Sequence, residues 1–216
     1  QNVSLVADAG SVKNADDGTK TNVTAINLRI KADDVIGAGN RHITTAVDTL
    51  SALSTGTDSA GIFITETDGI EVNTVSVSVT EVLNTGAADS TALTDAAQSD
   101  LVTGANNGSI VLVTTAGNLT VKEGADTADN IGISANGTGN ILLQSVAADI
   151  DLQALIQSGN GNISVLAAAN LSQNAEGDIS TRGGAGTIDV EATGGSVTMT
   201  DGALAETNNA NIRYKA

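Results

Sequence analysis

The stretch that decides the fold is residues 161–180, GNISVLAAANLSQNAEGDIS. It contains three short apolar segments, at Ile163 with Val165, at Leu171 and at Ile179, and each directly follows Asn or Asp. Ile163 and Val165 are two residues apart, so on a β-strand their side chains point to the same side. Each segment is therefore predicted to be a short strand with one buried face, entered through a polar corner.

The same arrangement recurs along the chain in three series of apolar positions. The first series is Ile62, Ile110, Ile141, Ile163, Ile188 and Ile212, with steps of 31, 22, 25 and 24 residues from Ile110 onward. The second is Ile70, Leu119, Ile150, Leu171 and Val197, and the third is Val75, Ile131, Ile156, Ile179 and Leu204. A regular repeat of this length is typical of solenoids and other repeat architectures.

Strands this short do not form hairpin sheets of their own, and the paired turn dipeptides of tight hairpins do not recur between them. A coil of three short strands that pairs in parallel with the coils above and below it satisfies the pattern. The sequence therefore predicts an all-β parallel β-helix, or β-solenoid, of about seven coils in a single domain over residues 1–216. Residues 84–108, rich in small and polar residues, are predicted to be a loop insertion or a brief helix that leaves the stack.

Polar residues stand at the predicted corners. In the first series these include Asn140, Asn162 and Asn211, and in the second Asn118 and Asn170. Corners of successive coils lie above one another in a solenoid, so we expect their side chains to form hydrogen-bonded ladders from coil to coil.

Composition narrows the possible functions. The chain has 25 acidic residues against 9 Lys and Arg, a formal net charge of −16, which argues against nucleic-acid partners because phosphate contacts require clustered cations. It has no apolar run of about 18 residues, so no membrane-spanning segment is expected. With two aromatic residues and no Cys, the core is expected to consist of Val, Ile, Leu and Ala.

Residues 34–72, DVIGAGNRHITTAVDTLSALSTGTDSAGIFITETDGIEV, resemble a segment of giant repetitive bacterial surface proteins of the filamentous haemagglutinin-like kind. The similar features are "IG" followed by an Asn turn, then "TAVDTLSA", "GIFI", an acidic step and "DGIEV". The later "GNI" and "GDI" coils look like repeats of the same family. The resemblance implies a right-handed parallel β-helix exported to the cell surface, where it acts in adhesion or as a stalk or matrix.

Calcium is the metal that the sequence favours, because hard oxygen ligands on acidic turns suit this ion. The candidate ligands of such weak sites are Asp16, Asp17, Asp33, Asp34, Asp126 and Asp129. A solvated acidic edge is the other interpretation of these turns. Apart from calcium, no cofactor is predicted.

Catalysis by a carbohydrate-active β-helix, a lyase or hydrolase, is an alternative because such sites use clustered outward carboxylates. Asp151, Asp189 and Glu191 are outward candidates, but Ser and Thr separate them and aromatic sugar platforms are nearly absent. We therefore expect no enzymatic activity. A calcium-dependent binding module is the other alternative.

One set of positions predicts a partner contact. Phe63, Val111 and Leu142 fall between the inward residues of successive first strands, so they are expected to form an apolar column on the outside. Either a lateral partner or the 84–108 insertion is expected to cover it. Open strand edges at the two ends are expected to pair head to tail with another copy, or with neighbouring repeats of the same chain. The function expected from the sequence is thus a structural or adhesive extracellular segment: a stalk, adhesin or filament subunit.

Overall fold

A computed structural model describes residues 1–16, 20–125, 129–181 and 183–216 of the chain. These residues form strands joined by turns, and the strands lie in two long parallel sheets and one hairpin. The described residues contain no helix of the length and hydropathy that crossing a membrane requires.

The sheet that we call sheet B carries the first predicted series. In stacking order its described strands are β2 (Val23–Thr24), β4 (Ile43–Ala46), β6 (Gly61–Glu66), β11 (Ser109–Thr114), β14 (Ile141–Ser145), β17 (Ile163–Ala167), β20 (Ile188–Ala192) and β23 (Ile212–Lys215). All neighbours are parallel, and from β6 onward the isoleucines of the series pair in one register. The first series is therefore confirmed as one continuous column.

The other long parallel sheet, which we call sheet A, changes its form along the stack. It begins with three long strands, β1 (Asn2–Ala7), β3 (Asn27–Ala32) and β5 (Thr49–Ser54). Beyond β5 it divides into two columns of shorter strands. One column is β7 (Ile70–Val72), β12 (Leu119–Val121), β15 (Ile150–Leu152), β18 (Leu171–Gln173) and β21 (Val197–Met199); the other is β10 (Leu101–Thr103), β13 (Ile131–Ala135), β16 (Leu155–Ser158), β19 (Ile179–Thr181) and β22 (Ala205–Thr207).

The division of sheet A occurs on a single strand. Thr49 and Leu50 of β5 pair with β7, whereas Ala52, Leu53 and Ser54 pair with β10. Three strands per coil are therefore present from β6 onward, while in the preceding coils one six-residue strand takes the place of two short ones.

The described residues make seven circuits through the two sheets, with β1 before the first and β23 after the last. The circuits begin at residues of one stacked column, which Val12 and Ile36 join through isolated bridges: Val12, Ile36, Ile62, Ile110, Ile141, Ile163 and Ile188. With strands spaced by about 4.8 Å, seven coils give a rod about 34 Å long. The predicted parallel β-helix of about seven coils is confirmed.

A single aliphatic core fills the inside of the coils. Inward residues such as Leu112, Leu143 and Val165 are fully buried, and their neighbours along each strand face outward. This alternation follows from the two-residue period of a strand. Uniform Ile, Leu and Val layers stack because each coil presents the same cross-section to the next.

The third predicted series is wrong at three of its positions. In that column the stacked core residues are Leu101, Ile133, Ile156, Ile179 and Ala205. This column therefore does not contain Val75, Ile131 or Leu204. An irregularity between Ile131 and Ile133 shifts the register, and Leu204 precedes its strand and is exposed.

The insertion differs from the predicted loop over residues 84–108. It is an antiparallel hairpin of β8 (Val75–Val82) and β9 (Ala88–Gln98), after which β10 returns the chain to the stack. Val75, Val77 and Val79 alternate with Ser residues, which favours a strand, and the turn contains Gly86 with a positive φ of 81°. The Arg29 Nε donates to Ala96 O at 3.2 Å, and Gln98 Nε2 donates to Ile30 O at 3.0 Å, so the base of the hairpin covers the outer face of β3.

Candidate functional site

Side chains at the first corner link successive coils. Asn140 Oδ1 accepts from the backbone N–H of Asn162 at 2.8 Å and from its Nδ2 at 3.2 Å. Asn162 Oδ1 in turn accepts from the N–H and the Oγ1 of Thr187, both at 2.9 Å. The backbone N–H at each corner thus obtains an acceptor from the coil before it. Asn211 continues the corner through its main chain, since its carbonyl oxygen accepts from Ile188 N at 3.1 Å.

A second ladder runs along the corner before β12, β15, β18 and β21. Asn118 Oδ1 accepts from Asp149 N at 3.2 Å, Asp149 Oδ1 from Asn170 N at 2.7 Å, and Asn170 Oδ1 from Ser196 N at 3.1 Å. These side chains are committed to coil-to-coil bonds, so the role that the geometry gives them is to fix the spacing of the coils.

The C-terminal end of the stack exposes the inside of the coil. Met199 and Ile212 occupy inward positions but are 45% and 41% exposed, whereas the residues they pair with, Gln173 and Ile188, are buried. Among the described residues no strand pairs with the outer edges of β21, β22 or β23. At this edge of the described stack, aliphatic side chains and the backbone donors and acceptors of the last strands are therefore uncovered.

Tyr214 covers part of this end. Its hydroxyl donates to Oε1 of Gln173 at 2.6 Å, and Gln173 Nε2 donates to Leu204 O at 2.8 Å. Burial, together with the negative charge of Asp178, raises the pKa of Tyr214 to about 12. The hydroxyl is therefore neutral at physiological pH.

The charges on the outer face of β23 are neutralised by ion pairs. Arg213 binds both oxygens of Asp189 at 2.7 and 2.9 Å and also Glu191 at 2.9 Å, and Lys215 binds Glu191 at 2.7 Å. These cations hold the pKa of Glu191 below its usual range. Two of the three outward carboxylates considered for catalysis are thus engaged in ion pairs.

The N-terminal end is open in the same way. Val3, Leu5 and Ala7 of β1 face inward against Leu28, Ile30 and Ala32, which are fully buried, but are themselves only half-buried. Val12 bridges to Ile36 and is likewise half-buried. In the described part of the chain the outer edge of β1 has no strand partner.

The calcium candidates are dispersed over corners. Asp17 and Asp126 lie outside the described residues. Asp33 accepts hydrogen bonds from the hydroxyl groups of Thr55 and Thr57, at 3.1 and 2.7 Å. Asp34 Oδ1 accepts hydrogen bonds from the backbone N–H groups of Asp58 and Ser59, at 3.3 and 3.4 Å. Asp16 accepts from Asn22 Nδ2 at 3.4 Å, and Asp129 accepts from Ile131 N at 3.1 Å. Within the described ranges no three acidic or His side chains converge on one point. Calcium binding stays a prediction.

The apolar column is present as a stack, since Val111 pairs with both Phe63 and Leu142. The three residues are half-buried. Of the two alternatives for covering them, the insertion is excluded, because the hairpin packs on β1, β3 and β5 of sheet A. Phe63 is instead flanked by His42, with ring centroids 6.1 Å apart. A lateral partner on Val111 and Leu142 stays a prediction.

Glu66 is a buried carboxyl group that the sequence motifs do not predict. It follows Ile62 and Ile64 on the inward face of β6, where the next two coils have Thr114 and Ser145. Its Oε2 accepts from Thr45 Oγ1 at 2.6 Å and Val47 N at 3.2 Å, and its Oε1 accepts from Thr67 N at 2.8 Å. Burial raises the pKa of Glu66 to about 7, against the opposing effect of the hydrogen bond from Thr45. The two-residue alternation of β6 was the signal that could have placed it inside.

We expect Glu66 to make the stability of this fold decrease between about pH 4.5 and pH 7. A carboxyl group whose pKa is higher folded than unfolded stabilises the fold at low pH, and that contribution is lost as the pH rises through the folded pKa. The shift corresponds to roughly 3 kcal/mol. Urea unfolding of the wild type and of Glu66→Gln at pH 4.5 and pH 8 measures it: the difference between the two proteins should move in favour of the variant at the higher pH. Parallel pH profiles would contradict this assignment.

Comparison of the chain with models of protein families, with curated proteins and with solved structures finds no match.

Proposed function

We propose that this chain is a structural segment of an extracellular, cell-surface protein, a stalk or filament element that acts without catalysis and associates end to end. The observation that carries the proposal is the change in exposure along the core. Inward side chains are fully buried in the middle coils and become partly exposed at both ends, at Val3 and Leu5 on one side and Met199 and Ile212 on the other.

The physical argument rests on the hydrophobic effect and on backbone pairing. A second solenoid placed on an open end covers aliphatic side chains, at about 25 cal/mol per Å² of apolar surface, and pairs the free N–H and C=O groups of the edge strands. Because the two ends are different surfaces, the contact is heterologous and propagates as an open fibre.

The distribution of charge supports association through the ends of the rod and not through its sides. Residues 42–181 contain sixteen acidic and one cationic side chain, whereas residues 1–41 contain five of each, and residues 182–216 contain four acidic and three cationic. The middle of the rod therefore repels another copy placed beside it, while both ends are close to neutral.

We expect Ile212→Asp to abolish end-to-end association at micromolar concentrations. The substitution places a charge on an edge that must be desolvated, while the coils before it remain paired. Sedimentation velocity over a concentration series, with electron microscopy of the same samples, should show rods of increasing length for the wild type and single short rods for the variant.

The matched control is Val79→Asp. Val79 is a similarly exposed aliphatic residue, 54% exposed, but it lies on the hairpin and not at a stack edge. We expect this variant to associate like the wild type. A wild type that stays monomeric at high concentration, or a Val79→Asp variant that loses association while Ile212→Asp keeps it, would refute the proposal.

A further inference from the structure

The described stack begins and ends at different points of the circuit. Its first strand, β1, belongs to sheet A, and its last strand, β23, belongs to sheet B. In every complete coil a sheet-B strand is followed by sheet-A strands. The place beyond β21 and β22 is therefore the place of a sheet-A strand, and β1 is a sheet-A strand with a free edge.

The lengths of these strands also agree. β1 has six residues, and β21 and β22 have three each. The chain already contains this combination, because six-residue β5 pairs with three-residue β7 through Thr49 and Leu50 and with three-residue β10 through Ala52 to Ser54. A long strand lying across two short ones is thus a packing that this cross-section accepts.

We propose that the partner of the C-terminal end is a second copy of this chain, docked with its β1 across β21 and β22 and its Val12 beside Ile212 of β23. This inference rests on the proposed end-to-end function and adds the partner and the register. The second copy continues the solenoid by one coil spacing: sheet A runs through the junction, and Val12 extends the inward isoleucine column of sheet B.

The registers within the chain fix which residues meet. Pairing places Val3, Leu28 and Leu50 in one inward column, and this column continues through Val72 to Met199. By the same extrapolation Leu5 meets Ala205, and Val12 meets Ile212. Each of these six side chains is at least partly exposed in the single chain, and each contact is aliphatic.

Two outward columns give positions for a test. Asn2 belongs to the column that ends at Thr198, and Val6 to the column that ends at Glu206. The docked copies therefore place Asn2 beside Thr198 and Val6 beside Glu206, at the Cα spacing of about 4.8 Å between parallel strands, which lies in the range that a disulfide spans. The chain has no native Cys, so engineered thiols have no competitor.

The experiment uses three double variants of the full chain under mild oxidation. The two matched pairs are Val6→Cys with Glu206→Cys and Asn2→Cys with Thr198→Cys. Asn2→Cys with Glu206→Cys is the crossed control, with the same number of thiols in the wrong register. Within one copy the two positions lie at opposite ends of a rod about 34 Å long, so a bond between them joins different copies.

We expect the matched pairs to give a ladder of covalent species at multiples of 21.4 kDa on non-reducing gels, at least about tenfold more than the crossed control. Under reducing conditions all three variants should sediment like the wild type, which shows that they fold. The proposed register would be overturned if rods form but the crossed control links as efficiently as the matched pairs, or if rods form but neither matched pair links. Either result would leave end-to-end association itself intact. A wild type that forms no rods would overturn both.

Discussion

Replacing Leu143 with Ala is expected to lower the free energy of unfolding by about 4 kcal/mol, because the substitution leaves a cavity in a close-packed core. Leu143 is fully buried, and its column contains Leu112 on one side and Val165 on the other. Parallel in-register strands hold these side chains at a fixed spacing, so the site has little freedom to collapse. Equilibrium unfolding in urea measures the change.

Leu142→Ala is the control for this prediction, since it removes the same atoms from the preceding residue of the same strand. Leu142 faces outward and is half-buried, so we expect a loss of about 1 kcal/mol or less. Equal losses at residues 142 and 143 would contradict the inside and outside faces assigned to β14.

The second large effect is expected at a corner glycine. A Cβ atom at Gly161 would overlap the carbonyl oxygen of Gly139 in the preceding coil, and Gly139 has the same relation to Gly108. Because the obstacle is backbone and not a movable side chain, Gly161→Ala must separate two coils locally. We expect a loss of about 3 kcal/mol, measured by urea unfolding.

Gly39→Ala is the matched control. A Cβ atom there would meet only the Phe63 ring, at an ordinary contact distance of 3.8 Å. We expect its effect to stay within about 0.5 kcal/mol. If Gly161→Ala were as mild as Gly39→Ala, the close approach of successive corners would not be a feature of the folded protein.

The first and second series were predictable because they carry three independent signals: two-residue alternation, a polar corner residue and a regular step. Ile163 with Val165 shows all three, and the structure places both in the core. A parallel stack then follows, because only coils of equal cross-section bring such columns into register.

The errors arise where one of these signals is ambiguous. Val75 and Val77 alternate with Ser like a solenoid strand, but their partner is the neighbouring β9 and not the next coil. Alternation reports a half-buried strand and carries no information about which strand it pairs with. The hairpin was therefore divided wrongly, its first strand being assigned to the stack and its second to a loop.

The open ends could be anticipated from the repeat, but the register across them could not. That register depends on β5 pairing with both β7 and β10, a feature of tertiary structure that the residues of β5 alone do not specify. Glu66 was missed for a related reason. The sequence pattern points to clusters of outward carboxylates, whereas this carboxyl group is buried and accepts hydrogen bonds from the Thr45 hydroxyl and from backbone N–H groups.

The orientation of the inter-coil hydrogen bonds has a mechanical consequence. They run along the axis of the rod, so tension applied between the two ends loads the bonds of the outermost coil first and peels coils away one at a time. Each detached coil of about 24 residues would add roughly 80 Å of slack. A rod built in this way is expected to lengthen in steps of one coil under load.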